Sequence, residues 1–151
     1  MTAISRASLL EFLRGHRYAV EASAGALGGA QAAVVGIAVS DQFHLVFDTL
    51  ESTRKAKNLV RDPRVAFVVG GLSEGEGRTV QYEGVADRPG GPELEAIREL
   101  YFGTFPDGRE RLAWQGLIHL RVVPTWLRYS DYLIDPPVIV ELSADELARL
   151  R

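Results

Sequence analysis

The sequence predicts an α+β fold built mainly from short antiparallel β-strands, with a few helices between them. Seven or eight short runs either alternate apolar and polar residues or are continuously apolar, as strands do. Turn signals such as Asp41-Gln42 and Pro106-Asp107-Gly108 separate several of these runs. This pattern favours an antiparallel barrel or sandwich with added helices over a parallel doubly wound sheet.

The first forty residues predict a helix followed by two strands. A short amphipathic helix is expected over Ser5 to Arg14, with Gly15 as its stop. Alternation predicts a strand over Tyr18 to Ala22. The run from Gln31 to Ser40 is apolar on both faces, so a central strand covered on each side is expected there.

The rest of the chain predicts further strands, two more helices and a capped terminus. Gly84 marks a bulge or a close backbone approach, and Pro124 is expected to end one strand before another begins. Ser143 and Glu146 have the spacing of a capping box. The predicted elements are strands at Phe43–Asp48, Arg64–Gly70, Arg78–Arg88, Leu112–Val123, Thr125–Asp131 and Pro137–Leu142, and helices at Pro92–Gly103 and after Ser143.

Length and composition predict an ordinary globular protein. The chain has 151 residues, 46% apolar and 25% charged, and we expect one domain over residues 1–151 with a C-terminal strand and helix extension from about residue 137. A net charge of −3 gives no general attraction to nucleic acid or acidic membranes. No secretory or bilayer-spanning apolar run is present, so a cytoplasmic location is expected.

The segment from Phe43 to Val69 has the makings of an anion site. A strand leads into a short helix, with Ser52 or Thr53 as its N-cap and Pro63 as its stop. Arg54 and Lys55 lie in the first turn and Lys57 follows, although a helix N-terminus already carries about half a positive charge. Cations there repel the helix dipole unless an anion binds, and free N–H groups with several cations suit a phosphate.

The lysines are concentrated at this point. The chain has fifteen arginines and two lysines, and the lysines are Lys55 and Lys57. Because the chain otherwise uses arginine, two neighbouring lysines indicate a local need for compact charges. A solvated basic helix face is the alternative interpretation.

No self-sufficient catalytic constellation is recognisable in the sequence. The histidines His16, His44 and His119 lack metal-ligand spacing, and the absence of cysteine removes thiolate chemistry, so no metal site is expected. Nucleophile-elbow, P-loop and dinucleotide-binding motifs are absent. If the protein is an enzyme, a cofactor carries the reaction.

Ser52, Arg54, Lys55, Asn58 and Leu59, followed by Pro63-Arg64-Val65, together resemble a motif of the pyridoxamine 5′-phosphate oxidase-like family of FMN-binding split β-barrels. The similarity extends over about Ser5 to Asp131. The resemblance implies a six-stranded antiparallel split β-barrel and a homodimer with flavin in grooves between the subunits. It also implies that the cations of this segment hold the FMN phosphate.

Position by position, the resemblance implies a set of cofactor-binding residues. Asp48 and Thr49 match the strand end that touches the flavin, Thr79 matches a polar residue at the ring, and Trp126 is a candidate to close the pocket from the partner subunit. The full expected set is Asp48, Thr49, Ser52, Thr53, Arg54, Lys55, Lys57, Thr79, Gln81 and Trp126. Thr49 as a turn residue, Thr79 and Gln81 as a wet strand face, and Trp126 as a dimer-interface residue are the alternatives.

The chain departs from the vitamin-B6 oxidases at the second strand. Those enzymes place an arginine and a lysine there, whereas Ala33 to Ala38 is apolar. The first hypothesis is therefore an FMN-dependent oxidoreductase acting on a small organic substrate, with catalytic residues unassigned. The alternatives are a deazaflavin-dependent reductase and a non-catalytic module that binds flavin or haem, the latter through His44 or His119.

Overall fold

The computed structural model describes residues 4–151. Four α-helices, eight β-strands and one 3-10 helix are present among them. In chain order they are α1 (Arg6–Arg14), β1 (Tyr18–Ala24), β2 (Ala30–Gly36), β3 (Ala38–Val39), β4 (Leu45–Leu50), α2 (Arg54–Arg61), β5 (Arg64–Val69), β6 (Arg78–Asp87), α3 (Gly91–Thr104), the 3-10 helix (Pro106–Ala113), β7 (Leu117–Asp131), β8 (Val138–Ser143) and α4 (Ala144–Arg149).

All strand pairings are antiparallel, which confirms the predicted fold class. The strands run in the order β2-β1-β5-β6-β7-β4-β3, and β8 adds to β7 outside this path. The family resemblance implies six strands, whereas the described residues form eight, for two reasons. The second strand is interrupted at Ile37 into β2 and β3, and β8 belongs to the C-terminal extension.

The curled sheet encloses one large core. Inward-facing side chains include Leu45, Phe47, Phe67 and Tyr82, each no more than 2% exposed. Leu9 and Leu13 of α1 pack into the same cluster, as do Leu142 and Leu147 of the C-terminal extension. The extension is therefore packed onto the barrel through apolar contacts, and the predicted capping box of Ser143 and Glu146 is present at the start of α4.

A second, smaller cluster lies on the other face of β4. Val46 packs there with Ile97, Tyr101 and Phe102 of α3 and with Phe105. Successive side chains of β4 therefore pack into two different cores, because Leu45 and Phe47 face the barrel interior while Val46 faces α3.

The predicted central strand between Gln31 and Ser40 is wrong. Strand β2 lies at one end of the sheet and β3 at the other, and Val34 is 68% exposed. The outward side chains of β2 instead extend a row on the outer face of the sheet, in which Val34 lies opposite the half-buried Val20 and Val20 lies opposite the half-buried Val68.

The predicted break at Pro124 is also wrong, because β7 runs without interruption from Leu117 to Asp131. Residue Glu83 pairs with Trp126 and Gly84 pairs with Pro124, so Thr125 is an extra residue and the register shifts there. This arrangement is a β-bulge, which lets a proline lacking an N–H remain within a strand. The bulge predicted at Gly84 is confirmed.

Replacement of Gly84 by alanine is expected to destabilise the fold by about 2–3 kcal/mol, because an added Cβ would lie 2.6 Å from the backbone oxygen of Val123. The matched control is Gly103→Ala in α3, where a Cβ meets nothing within 4 Å and a gain of about 0.5–1 kcal/mol is expected. Chemical denaturation measures both, and equal effects would contradict the close approach at the bulge.

Candidate functional site

The amino end of α2 presents unsatisfied backbone donors. Thr53 is the N-cap, and its Oγ1 accepts from the Ala56 N–H at 3.4 Å, while its carbonyl accepts from the Lys57 N–H at 3.1 Å. The N–H groups of Arg54 and Lys55 are the two that remain in the first turn. The cap predicted at Ser52 or Thr53 is thus resolved in favour of Thr53, and Ser52 is exposed.

Strand β4 holds this helix start in place. The Thr49 hydroxyl lies 3.0 Å from the Thr53 hydroxyl, and the Thr53 hydroxyl also donates to the Leu50 carbonyl at 2.8 Å. Thr49 is 7% exposed. It therefore supports the cap, and the structure places Thr49 and Thr53 beside the first turn of α2.

Three cations share one side of α2. Arg54, Lys57 and Arg61 line a pocket of about 400 Å³ whose far side is formed by the β1–β2 turn, including Leu27 and Gly29. Within the described part of the chain, Arg54 and Lys57 form no salt bridge, and no acidic side chain lines the pocket. The pocket thus has unneutralised positive charge, and it adjoins the start of α2 at Arg54, whose backbone N–H is one of the two free donors. This combination favours an anion.

Lys55 points elsewhere. It does not line this pocket and is half-buried, and its charge acts on the carboxyl group of Glu21 in β1. Glu21 is 1% exposed, and burial raises its pKa, while the Ser23 hydroxyl and Lys55 act in the opposite direction. Arg54 and Lys57 therefore line the open pocket, whereas Lys55 acts on a buried acid.

A buried amide network joins α2 to the β1–β2 hairpin. The Asn58 amide donates to Ser23 Oγ at 3.1 Å and to Gln31 Oε1 at 2.6 Å, and Arg61 donates to Asn58 Oδ1 at 2.8 Å. Asn58 is 3% exposed. These bonds fix the distance between the helix and the turn that closes the basic pocket.

A second group of predicted residues lies on the outer face of the sheet. Thr79, Gln81 and Trp126 line a groove of about 290 Å³ whose floor is formed by small apolar residues of β1 and β5. The Thr79 hydroxyl is within hydrogen-bond distance of the Val69 and Gly70 carbonyls. The groove offers an apolar wall with polar side chains at one side, which suits a planar polar ring.

Asp48 lies apart from both the start of α2 and the groove that Thr79, Gln81 and Trp126 line. It forms a salt bridge with Arg111 at 2.8 Å and accepts a hydrogen bond from the Tyr101 hydroxyl at 3.0 Å, on the face of β4 that α3 covers. Burial and the Asp48 charge raise the pKa of Tyr101, so the phenol remains protonated as a donor. This arrangement makes Asp48 an anchor for α3 and the 3-10 helix.

His16 and His119 are engaged or enclosed, whereas His44 is half-buried. Both ring nitrogens of His16 are engaged, one by the Phe12 carbonyl and the other by Glu76. His119 is 1% exposed beneath the rings of Tyr101 and Phe102, and burial lowers its pKa. Burial also lowers the pKa of His44. Among residues 4–151, no group of three or more histidine or acidic side chains could hold a metal ion.

The sequence-based site omits several residues that the structure brings in. Arg61 follows Arg54 by seven positions and Lys57 by four, so helical periodicity alone places it on the same side. Gln31 and Glu21 carry no such local signal, because β1 and its partner β2 meet α2 only in the folded sheet.

Comparison with known proteins identifies the class. The family model described as pyridoxamine 5′-phosphate oxidase matches residues 6–124, and the chain belongs to this family. No curated protein sequence matches it. Within the described residues, no helix has the length and apolar character needed to cross a membrane.

Solved structures show the same fold. A heme binding protein from Mycobacterium smegmatis is similar with a TM-score of 0.83 at 17% identity, over 99% of this chain and 62% of that one. The conserved hypothetical protein Rv2991 from Mycobacterium tuberculosis has a TM-score of 0.71 at 25% identity, covering 87% and 88%. A pyridoxamine 5′-phosphate oxidase-related, FMN binding protein from Nostoc punctiforme has a TM-score of 0.68 at 12% identity, covering 91% and 87%.

Proposed function

We propose that the protein binds FMN and acts as an FMN-dependent oxidoreductase on a small organic substrate. The observation that carries the proposal is the basic pocket along α2, where Arg54 and Lys57 have no anionic partner among the described residues. The pocket adjoins the amino end of the helix at Arg54, where the backbone N–H groups of Arg54 and Lys55 are free. Family membership and an FMN binding neighbour of the same fold support the choice of anion.

The residues present fit a flavin phosphate. Arg54 and Lys57 would hold it by charge-assisted hydrogen bonds, with Arg61 at the back of the pocket. Thr79 and Gln81 would offer hydrogen bonds to the ring, and Trp126 would cover it. When bound, FMN supplies hydride transfer chemistry, so these side chains need only bind and orient the ring and exclude water.

A titration of the purified protein with FMN tests this function. Binding to the native state must raise the melting temperature and is expected to quench flavin fluorescence. Reduction of the bound flavin by NAD(P)H or by a substrate panel is expected for an oxidoreductase. Bound flavin that no donor reduces would support storage or sensing instead, and failure to bind any flavin would contradict the proposal.

A deazaflavin coenzyme is the alternative ligand for the same pocket, because it also joins a planar ring to a phosphate. Haem is a second alternative, motivated by the Mycobacterium smegmatis heme binding protein. Of the two histidines expected to bind haem iron, His119 offers no accessible nitrogen, since aromatic rings cover it. His44 is half-buried, and no hydrogen bond to its ring is present within the described residues, so His44 is the haem ligand that this alternative requires. Absorbance spectra of the protein with each ligand separate the three.

The proposed assembly is a homodimer formed through the outer sheet face. Two rows of small apolar residues cross β2, β1 and β5, and their β1 and β5 members form the floor of the groove that Trp126 lines. The rows are Val34, Val20 and Val68, and Ala32, Ala22 and Ala66. An apolar face next to a ligand groove is typical of a subunit interface that completes the site.

Replacement of Val34 by glutamate is expected to dissociate the dimer, because an unpaired carboxylate would be buried between the two sheets. Light scattering coupled to gel filtration measures the mass. The control is Leu72→Glu, at a residue 64% exposed in the β5–β6 loop, for which the mass should not change. A monomeric wild type, or a Val34→Glu variant that remains dimeric, would contradict the proposed interface.

A further inference from the structure

A cavity of about 760 Å³ lies at one end of the barrel, between α1 and the ends of β6, β7 and β8. It shares no lining residue with the basic pocket or with the groove that Thr79, Gln81 and Trp126 line. Arg78 begins β6 and alternates in step with the buried Val80, whereas Thr79 and Gln81 belong to the outer face. The cavity therefore lies apart from the proposed flavin site, and its volume is that of a small-ligand site.

Phe12 and Tyr129 form an aromatic wall of this cavity. Their rings meet edge-on with centroids 5.6 Å apart, and both residues are 8% exposed. No described residue forms a hydrogen bond with the Tyr129 hydroxyl, although a buried phenol usually has a partner. Ile4, Ile134 and Val138 complete the apolar part of the lining. The cavity therefore suits a ligand with an apolar body and a polar group within reach of a hydroxyl.

Charged groups of both signs line the same cavity without neutralising one another. The Arg78 guanidinium carbon lies 5.7 Å from the centre of the Phe12 ring, and Arg78 forms no salt bridge among the described residues. Asp131 is the cross-strand partner of Arg78, yet its Oδ1 accepts instead from the Leu133 N–H at 2.9 Å. Glu11 of α1 is a second acid of the lining that has no ion pair within the described chain.

His16 adds no free charge to the cavity. One of its ring nitrogens lies 2.8 Å from the Phe12 carbonyl oxygen, and the other contacts the Glu76 carboxylate. Arg78 is thus left as the available cation of the lining, and two acids, Glu11 and Asp131, are left as the available anions. Unpaired charges of opposite sign around one cavity complement a ligand that carries both an ammonium and a carboxylate group.

We propose that this cavity binds a short peptide with free ends and apolar side chains. The peptide carboxylate lies against the Arg78 guanidinium, the ammonium group lies against Glu11 and Asp131, and the side chains pack on Phe12 and Tyr129. A ligand with a single charge would leave either the arginine or the acids without a partner. The volume is in the range that holds drug-sized molecules, so a dipeptide or tripeptide fits it better than a free amino acid.

The experiment titrates the full chain with the dipeptide leucyl-phenylalanine in a calorimeter, and a Kd below about 1 mM is expected. Two blocked forms of the same dipeptide test the two charges. The N-acetylated form lacks the ammonium group, and the C-terminal amide lacks the carboxylate. Each blocked form should bind at least about tenfold more weakly, because one charge-assisted contact is lost. This comparison uses the unchanged protein and so does not depend on the folding of any variant.

Two variants show which side chains contact the two ends of the peptide. Arg78→Gln should bind the free dipeptide and its amide equally, because the partner of the carboxylate is gone. Glu11→Gln combined with Asp131→Asn should bind the free and the acetylated dipeptide equally, for the corresponding reason. The matched control is Arg88→Gln, just beyond the other end of β6, where the side chain is 59% exposed. This control should retain the wild-type preference for both free ends.

Failure of the wild type to bind leucyl-phenylalanine would overturn the proposal, and so would equal binding of the free and blocked dipeptides. A preference for the free carboxylate that survives in Arg78→Gln would overturn the role of Arg78. FMN affinity should be the same with and without the dipeptide, because the two sites share no lining residue. A protein that binds the dipeptide but no flavin would therefore support this inference and contradict the proposed function.

Discussion

Replacement of Arg54 and Lys57 together by alanine is expected to weaken FMN binding by about 3–6 kcal/mol, because each side chain is proposed to make a charge-assisted hydrogen bond worth about 1.5–3 kcal/mol. Riboflavin affinity should change little, since it carries no phosphate. Fluorescence titrations with both ligands measure the difference. Equal losses for FMN and riboflavin would contradict a phosphate role for these cations.

Stability provides the control for that experiment. Cations in the first turn oppose the helix dipole, so their removal should leave the melting temperature unchanged or slightly higher. The matched variant is Arg64→Ala, whose side chain is 83% exposed and paired with Asp62 beyond the other end of α2. This variant should bind FMN normally. A loss of FMN affinity in Arg64→Ala would indicate a diffuse charge effect rather than a local site.

The second large effect is expected at Asp48. Its replacement by asparagine removes the charge that pairs with Arg111 and accepts from Tyr101. The Arg111 and Asp48 side chains are only 20% and 13% exposed, so breaking the pair is expected to cost about 2–3 kcal/mol of folding stability, somewhat less than for a fully buried pair. Chemical denaturation measures this loss.

The comparison for Asp48 is Asp107→Asn, which removes the other carboxylate that contacts Arg111. Asp107 is 67% exposed, and its contact is an i,i+4 pair, for which a loss of no more than about 0.5 kcal/mol is expected. FMN affinity should be unchanged in both variants, because Asp48 faces α3 rather than the basic pocket. A selective loss of FMN binding in Asp48→Asn would instead support the flavin contact that the family resemblance implies.

The features predicted correctly from the sequence depend on local interactions. The helix α2 is specified by a capping threonine, a helical pattern and Pro63, all within a dozen residues. The capping box at Ser143 and the bulge at Gly84 are equally local. For the same reason, the position of the cation cluster at the start of α2 could be predicted before its surroundings were known.

The features predicted wrongly depend on partners far along the chain. Pro124 remains inside β7 because its missing N–H falls at a bulge opposite Gly84. Strand β2 lies at the end of the sheet because it pairs with β1 on one side only. Its apolar composition does not show how many neighbours it has. The alternation of β4 shows that Asp48 lies on the face opposite Phe47 and Thr49. The sequence does not show that α3 covers this face and brings Tyr101 to Asp48.

The sequence of β1 does not predict that Glu21 is buried. Its more apolar set, Tyr18, Val20 and Ala22, would be expected to face the core. The structure turns Ala19, Glu21 and Ser23 inward instead, and Tyr18 is 60% exposed. A polar inward face is explained by the polar groups of α2 above it, and an outward apolar face by the proposed subunit interface.

The proposed function requires a phosphate at the amino end of α2, and a crystal structure of the protein with FMN would show where the phosphate lies. We expect the phosphate to accept hydrogen bonds from the backbone N–H groups of Arg54 and Lys55 and to lie against the Arg54 and Lys57 side chains. A bound flavin whose phosphate lies elsewhere, with these groups still facing solvent, would contradict it.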